Sequence, residues 1–342
     1  MPIAKVMASR FGGGGEPEED MDGVLHLDAS DPRVAVYQNL KERDVAGRGD
    51  LFILEGENSV HNLVQHGRMP LESVCVSERR VAPMKSLIAA VRARGVPVYA
   101  LTHEDYSGLV GFNFHRGVLA CGRKLPSVAP GELLGALPAT GPSTVVLCER
   151  TNNLDNVGAV FRNGAAFGAG AVVFDGQSAD PYYRKSIRVS GGHALAIPFT
   201  RRGSIADVVQ AAKASGHVVC ALVTPSTSAR STEVDAAVGA PVPINEWRAD
   251  DRPERVAVLM GAEGPGLTDE AQRLADVRLT IPMANAVDSV NVATACSIAL
   301  HELASTPRRR DAQARRRAAR VASLAAAFGA GALLALAAAR RR

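Results

Sequence analysis

Residues 281–300 (IPMANAVDSVNVATACSIAL) bring hydroxyl and amide side chains to the point where an apolar strand gives way to an apolar helix. Asp288-Ser289-Val290-Asn291 forms the turn, and Asp and Ser suit a helix start because their oxygens accept the first orphan N–H groups. A buried strand that runs through a polar turn into a helix is a common place for backbone groups to hold a small ligand. Two earlier segments share the pattern. Residues 256–260 read as a fully buried strand followed by Gly261-Ala262-Glu263-Gly264-Pro265-Gly266, and Asn156-Val157-Gly158-Ala159-Val160-Phe161-Arg162 opens a helix after a strand at 144–148. Each junction sets polar side chains beside glycines or small residues. Taken singly they have plain readings: Asn156, Ser289 and Asn291 as helix caps, Arg162 as an ion-pair partner, Glu263 as a solvated turn residue.

In order and separation the three segments resemble motifs one, two and three of the SpoU (TrmH-like) RNA 2′-O-ribose methyltransferases of the SPOUT superfamily, over roughly residues 140–306. Motif one is matched by Asn156, Gly158 and Arg162, followed by Ala166-Phe167-Gly168. Motif two is matched by Gly261, Glu263, Gly264 and Gly266, and motif three by Ile281-Pro282-Met283 with Ser289, Asn291 and Ala293. A lone GxExG is a weak signal; the three in order are a strong one. Two departures stand out. Val290 is where the family often has Leu, and Arg162-Asn163-Gly164 replaces a frequent Arg-Thr-Ala.

The resemblance implies a methyl donor, S-adenosylmethionine, and an RNA acceptor, rRNA or tRNA. A ribose 2′-hydroxyl is a poor acid and must be aligned with the methyl carbon, and orientation alone supplies about 7–11 kcal/mol of barrier reduction. The family's arginine, here Arg162, is held to activate that hydroxyl. A guanidinium pKa above about 12 makes free proton abstraction costly, so phosphate binding and alkoxide stabilisation fit it better. Asn156, Glu263, Ser289 and Asn291 join it as catalytic candidates. A largely backbone cofactor pocket falls on Gly261, Ile281, Met283 and Val290. The family's pocket is completed across a homodimer.

Composition sets bounds around this reading. The chain has 342 residues, 46% of them hydrophobic, enough for two domains with real cores. Its net charge of +4 hides an asymmetry: residues 308–342 hold ten Arg and one Asp, so the tail is about +9 and the rest about −5. RNA contact must therefore come from local patches. Arg116, Arg184, Lys185 and Arg188 are the main candidates, with Arg123 and Lys124. Tyr182, Tyr183, Phe112 and Phe114 are the available stacking platforms in a chain that is only 4% aromatic. Five scattered cysteines without CxxC spacing read as buried thiols of a cytoplasmic protein, and the eight histidines have no metal-ligand spacing.

The expected organisation is a flexible leader (1–23), an α/β RNA-binding domain (24–126), a linker (127–141), a catalytic domain (142–306) and an Arg/Ala-rich tail (307–342). The first domain alternates strands at 52–54, 73–76, 96–101 and 118–121 with helices near 59–66 and 84–94. Phe52-Ile53-Leu54-Glu55-Gly56 and His115-Arg116-Gly117-Val118 make it similar to the ribosomal-protein-like domain that precedes many SpoU catalytic domains. The second domain reads as a mostly parallel sheet with helices on both faces: strands at 144–148, 171–174, 195–197, 218–223, 256–260 and 277–281, helices at 156–167, 204–214, 268–275 and 289–305. Residues 224–254 form a polar, Pro-rich loop without legible order. Knots are rare in proteins; the C-terminal trefoil knot is implied by the resemblance alone. In the tail, residues 321–339 are long enough to span a bilayer, yet their Ala-rich composition with Ser323, Gly329 and Gly331 makes insertion marginal. An exposed extension, membrane association and an RNA-holding arm all stay open there. Two rivals remain: a non-catalytic RNA-binding or assembly factor that keeps the fold, and a nucleotide-binding protein, which lacks a GxxxxGK[ST] pattern.

Overall fold

The computed structural model describes residues 19–38, 40, 49–110, 117–224, 229–247, 253–285, 287 and 289–303, without the side chains of 229–233. Residues 1–18, Phe112, Phe114, Arg116, Asp288 and the 307–342 tail lie outside the described residues. Among the described residues no helix is long and apolar enough to cross a membrane.

The first sheet contains β1 (Leu25–His26), β2 (Leu51–Glu55), β3 (Leu71–Ser77), β4 (Val98–Leu101) and β5 (Val118–Arg123), in the order β1-β4-β3-β5-β2. β1, β4 and β3 run parallel, and β5 is antiparallel to both β3 and β2. Strand period explains its layers, because successive side chains point to opposite faces. Phe52 and Leu54 enter a cluster with Val60, Leu63 and Ile88 from helices Glu57–His66 and Lys85–Arg92. Ile53 enters the opposite cluster with Tyr37, Tyr106 and Leu109.

The second sheet contains β6 (Ser143–Cys148), β7 (Ala171–Phe174), β8 (Phe199–Arg201), β9 (Val218–Leu222), β10 (Val242–Pro243), β11 (Arg255–Met260) and β12 (Val277–Thr280). All pairings are parallel, in the order β10-β12-β9-β11-β6-β7-β8. The continuous apolar runs reflect burial on both faces. Val256, Val258 and Met260 of β11 pack towards helices Leu154–Phe167 and Val292–Leu303. Ala257 and Leu259 pack towards helices Ile205–Ala214 and Asp269–Leu274. All five cysteines are buried free thiols, and burial pushes the Cys148 and Cys296 pKa values up.

Several elements differ from expectation. The strand expected at 195–197 is instead a 3-10 turn, His193–Leu195, and β8 starts at Phe199. Residues 224–254 contain helix Ala229–Val238 and β10. Residues 19–23, expected in the flexible leader, are fastened down: Glu19 bridges Leu25 and pairs with Arg92 at 2.9 Å, and Asp22 pairs with Lys85 at 2.9 Å. The 127–141 segment contains helix Pro130–Gly135, whose Leu134 enters the core of the second sheet.

The two sheets share a packed seam. Tyr182, Ile187 and Leu195 belong to the apolar cluster of the first sheet. Tyr182 stacks on Phe52 with centroids 5.3 Å apart and meets Phe199 at 5.0 Å. Glu55, 2% exposed, accepts from Arg184 and, at 2.9 Å, from Arg188 of helix Arg184–Val189.

Candidate active site

Helix Leu154–Phe167 opens one residue after Asn153, whose side chain accepts from the Asp155 N–H at 2.9 Å and caps it. It closes on Gly168 in the left-handed region at φ +75°. The cap is therefore Asn153, not Asn156, which leaves the Asn156 amide for another task. Asn156 is 4% exposed in the first turn. Its Nδ2 donates to Glu263 Oε2 at 2.9 Å, and its Oδ1 accepts from Asn291 Nδ2 at 3.0 Å. Asn153 Nδ2 reaches the same Glu263 oxygen at 3.4 Å. Residues separated by 107 and 135 positions in sequence thus form one hydrogen-bonded chain through all three junctions.

Asn291 has a second role. Its Oδ1 accepts from the Ala293 N–H at 2.8 Å, so it caps helix Val292–Leu303. The expected start at 289 is corrected to 292, and Ser289 stays in the preceding loop. Asn163 Nδ2 donates to the Ala293 carbonyl at 2.7 Å, which fastens this helix to the one carrying Arg162.

The loop after β11 folds back on itself. A Cβ on Gly261 would lie 2.2 Å from the Gly266 carbonyl carbon and 2.3 Å from Leu267 N, closer than any real Cβ contact. Gly266 N donates to the Ala262 carbonyl at 3.0 Å. Gly264 and Gly266 have φ of +90° and +70°, where glycine is favoured. One anchor was not legible in the sequence. Glu149, 1% exposed, accepts from Thr268 N at 2.8 Å and Thr268 Oγ1 at 2.7 Å, while its own N–H donates to the Met260 carbonyl at 2.8 Å. A Glu directly after an apolar strand was the available signal, but its partner lies 119 residues away.

These loops surround a cavity of about 840 Å³. The four predicted cofactor residues, Gly261, Ile281, Met283 and Val290, line it, as do Glu263, Ser289 and Asn291. Asn156 and Arg162 do not line it; Asn156 touches the site through Glu263 and Asn291. Arg162 is exposed, and among the described residues it has no ion-pair or hydrogen-bond partner. Leu222, Met260, Ile281 and Val290 supply apolar surface. At another part of the wall, Arg278 donates to Asp235 Oδ1 at 2.6 Å and to the Gly239 carbonyl at 2.8 Å.

Among the described residues, the predicted RNA contacts have ion-pair partners in the protein. Arg184 and Arg188 hold Glu55 at the seam, and Lys185 pairs with Asp155 at 2.6 Å. Arg123 pairs with Glu72 at 2.8 Å, and Lys124 lies 3.6 Å from Asp180 and over the Tyr182 ring. Tyr182 is 8% exposed and is a core residue instead of an open stacking platform. Arg116 is outside the described residues.

The family model described as the SpoU rRNA Methylase family matches residues 143–301. A Mycobacterium bovis protein described as an uncharacterized tRNA/rRNA methyltransferase is 35% identical over 279 residues, covering 80% of this chain and 89% of that protein. A 23S rRNA (guanosine-2′-O-)-methyltransferase, RlmB, of Ralstonia nicotianae is 26% identical over 73% of this chain and 94% of its own length. The AdoMet-bound rRNA methyltransferase from Sinorhizobium meliloti shares the fold at a TM-score of 0.65 and 22% identity, covering 82% of this chain and 97% of that one. By kinship that extends well beyond the three junctions, the chain belongs to the SpoU family of RNA methylases.

Proposed function

We propose that this SpoU methylase transfers a methyl group from S-adenosylmethionine to a ribose 2′-hydroxyl of structured rRNA or tRNA. The observation that carries the reading is the Asn291–Asn156–Glu263 chain, which ties all three junctions together and holds Glu263 and Asn291 at one cavity. The 2′-O-methyltransferase named among the relatives supports the choice of the ribose oxygen.

The cavity fits the cofactor. Its volume lies within the ordinary range for small-molecule sites, about 300–1,000 Å³. Apolar side chains and glycine backbone suit a nucleoside. Three carboxylates (Asp235, Glu263 and Asp269) and one guanidinium, Arg278, line it, a balance that favours a sulfonium cation over a nucleotide phosphate. Gly261, Ile281, Met283 and Val290 would hold the cofactor, which supplies a methyl carbon made electrophilic by its sulfonium.

The protein's task is then to orient and stabilise. Asn156 and Asn153 hold the Glu263 carboxylate at the cavity wall. Asn291 is fixed between its helix cap and Asn156, and Ser289 offers a hydroxyl beside it. The unpaired Arg162 guanidinium is available for a substrate phosphate and for negative charge growing on the 2′-oxygen. Because Arg162 is absent from the lining of its own chain's cavity, the reading includes a homodimer that brings the two together; sedimentation velocity tests it, and a monomer at working concentration would count against it. Cytoplasmic RNA as target and a C-terminal trefoil knot belong to the same reading.

The test is methyl transfer from labelled S-adenosylmethionine to ribosomal and transfer RNA, followed by alkaline digestion. Label in alkali-resistant dinucleotides that disappears with Arg162→Ala, while cofactor binding persists, is the expected result. Cofactor binding without transfer to either RNA pool would favour a non-catalytic RNA-binding protein.

A further inference from the structure

Part of the cavity wall lies outside the three matched motifs. It is built from Arg278 of β12, Asp235 of helix Ala229–Val238, and Asp269 and Gln272 of helix Asp269–Leu274. Strand alternation places the arginine there. Leu279 points into the apolar cluster of helices Leu154–Phe167 and Val292–Leu303, so Arg278 and Thr280 share the other face of β12. Arg278 is 7% exposed, and it is the one cationic side chain among the described residues that line the cavity.

The protein uses only part of what this guanidinium offers. Of its five N–H donors, one on Nη1 goes to the Gly239 carbonyl at 2.8 Å and one on Nη2 goes to Asp235 Oδ1 at 2.6 Å. Nε is buried and has no partner among the described residues. Thr280 Oγ1, two positions along on the same face, is also buried and without a partner. Buried polar groups are ordinarily hydrogen-bonded. The Asp235 and Gly239 contacts hold the guanidinium in one orientation and leave it donors to spare, on a side chain that borders the cavity.

The methyl donor has matching parts. Its adenosine arm carries no formal charge and suits the apolar surface of Leu222, Met260, Ile281 and Val290. Its other arm ends in an α-carboxylate and an α-ammonium. A carboxylate is bound best by a guanidinium, and Asp235 and Asp269 supply the opposite charge for the ammonium. Arg278 stands three residues before Ile281 on the same run of chain, roughly 10 Å at about 3.3 Å per residue, a separation on the scale of one ligand.

We propose that Arg278, held by Asp235, binds the α-carboxylate of S-adenosylmethionine and so selects the cofactor by its amino-acid end. This rests on S-adenosylmethionine as the donor and not on which RNA atom receives the methyl group. Arg278 is a specificity residue for the cofactor and touches no reacting atom.

Calorimetry with three ligands tests the assignment: S-adenosylmethionine, its decarboxylated analogue, and 5′-methylthioadenosine, which lacks the amino-acid arm. The wild type should bind S-adenosylmethionine at least about tenfold more tightly than the decarboxylated analogue. Arg278→Met should weaken S-adenosylmethionine by about 10–100-fold, the loss expected for hydrogen bonds to a charged group, and should leave the other two ligands within about threefold of their wild-type affinities. Arg278→Lys, which keeps the charge but not the fork, should retain part of the preference. An equal loss for all three ligands in Arg278→Met overturns the proposal, because it would show the arginine to be a prop for the cavity wall. Unchanged affinity for S-adenosylmethionine overturns it as well. The wild-type comparison needs no variant: equal binding of S-adenosylmethionine and the decarboxylated analogue overturns the carboxylate site even if Arg278→Met does not fold. A wild type that binds 5′-methylthioadenosine but not S-adenosylmethionine overturns the donor assignment, and the carboxylate site falls with it.

Discussion

Acidification should loosen the wall of the cavity through one histidine. His217, 3% exposed, immediately precedes β9. Its Nδ1 is 2.9 Å from Ser215 Oγ and its Nε2 is 2.9 Å from Ser143 Oγ at the start of β6. Burial first, and then the nearby Arg255 guanidinium, lower its pKa from 6.5 to about 4. The unfolded chain therefore binds a proton near pH 6.5 that the folded chain takes up only near 4. Stability from this group is complete above 6.5 and is lost as pH falls through that interval. At about 1.4 kcal/mol per pKa unit, the full loss is about 3 kcal/mol, a large share of the roughly 5–15 kcal/mol that holds a domain folded. β9 leads into Leu222, Val223 and Thr224 on the cavity wall, so ligand affinity should fall over the same range. The assay is urea unfolding at pH 7.5, 5.5 and 4.5 for the wild type and His217→Gln, whose amide can still bond both serines. The variant should lose about 2–3 kcal/mol less than the wild type between the extremes. Equal losses would refute the assignment of the acid sensitivity to this ring.

Two further outcomes follow from the same site. Gly261→Ala places a Cβ 2.2 Å from the Gly266 carbonyl carbon, so the cavity loop must open; cofactor affinity by calorimetry should drop at least about tenfold, a cost of about 1.4 kcal/mol or more, with far-UV circular dichroism unchanged. Asp235→Ala leaves the Arg278 guanidinium, 7% exposed, with the Gly239 carbonyl as its remaining acceptor among the described residues; the urea midpoint should report a loss of about 3 kcal/mol, the low end for a broken buried pair because Asp235 is itself partly exposed, and Asp235→Asn should recover part of it.

The junctions were legible because their chemistry is local. A glycine-rich turn directly after a continuous apolar run needs no distant partner to be noticed, and all seven residues assigned to the loops after β11 and β12 line the cavity. What depended on distant partners was hidden. Residues 195–197 form an apolar run that reads as a strand. The ladder starts only after Pro198, which has no N–H to give and offers its carbonyl to Val172 N at 3.0 Å. Arg184 and Arg188 read as part of a solvated, RNA-facing run because their partner Glu55 lies 129 positions earlier than Arg184. Tyr182 read as a stacking platform because sequence does not reveal that Phe52 and Phe199 enclose it. Ser289 was a better cap by residue type than by position; Asn291 took the cap because its amide also reaches Asn156.

The seam explains why Arg184 and Arg188 are turned to Glu55. A carboxylate as buried as Glu55 is costly unless well paired, and removal of a partner from such a pair is strongly destabilising. Two guanidinium groups from one short helix meet this requirement. With the stacked Phe52 and Tyr182 rings, they fasten the first sheet to the element directly ahead of Gly191 and His193. The Glu55 clamp and the ring stack together therefore set how the first unit sits against the second.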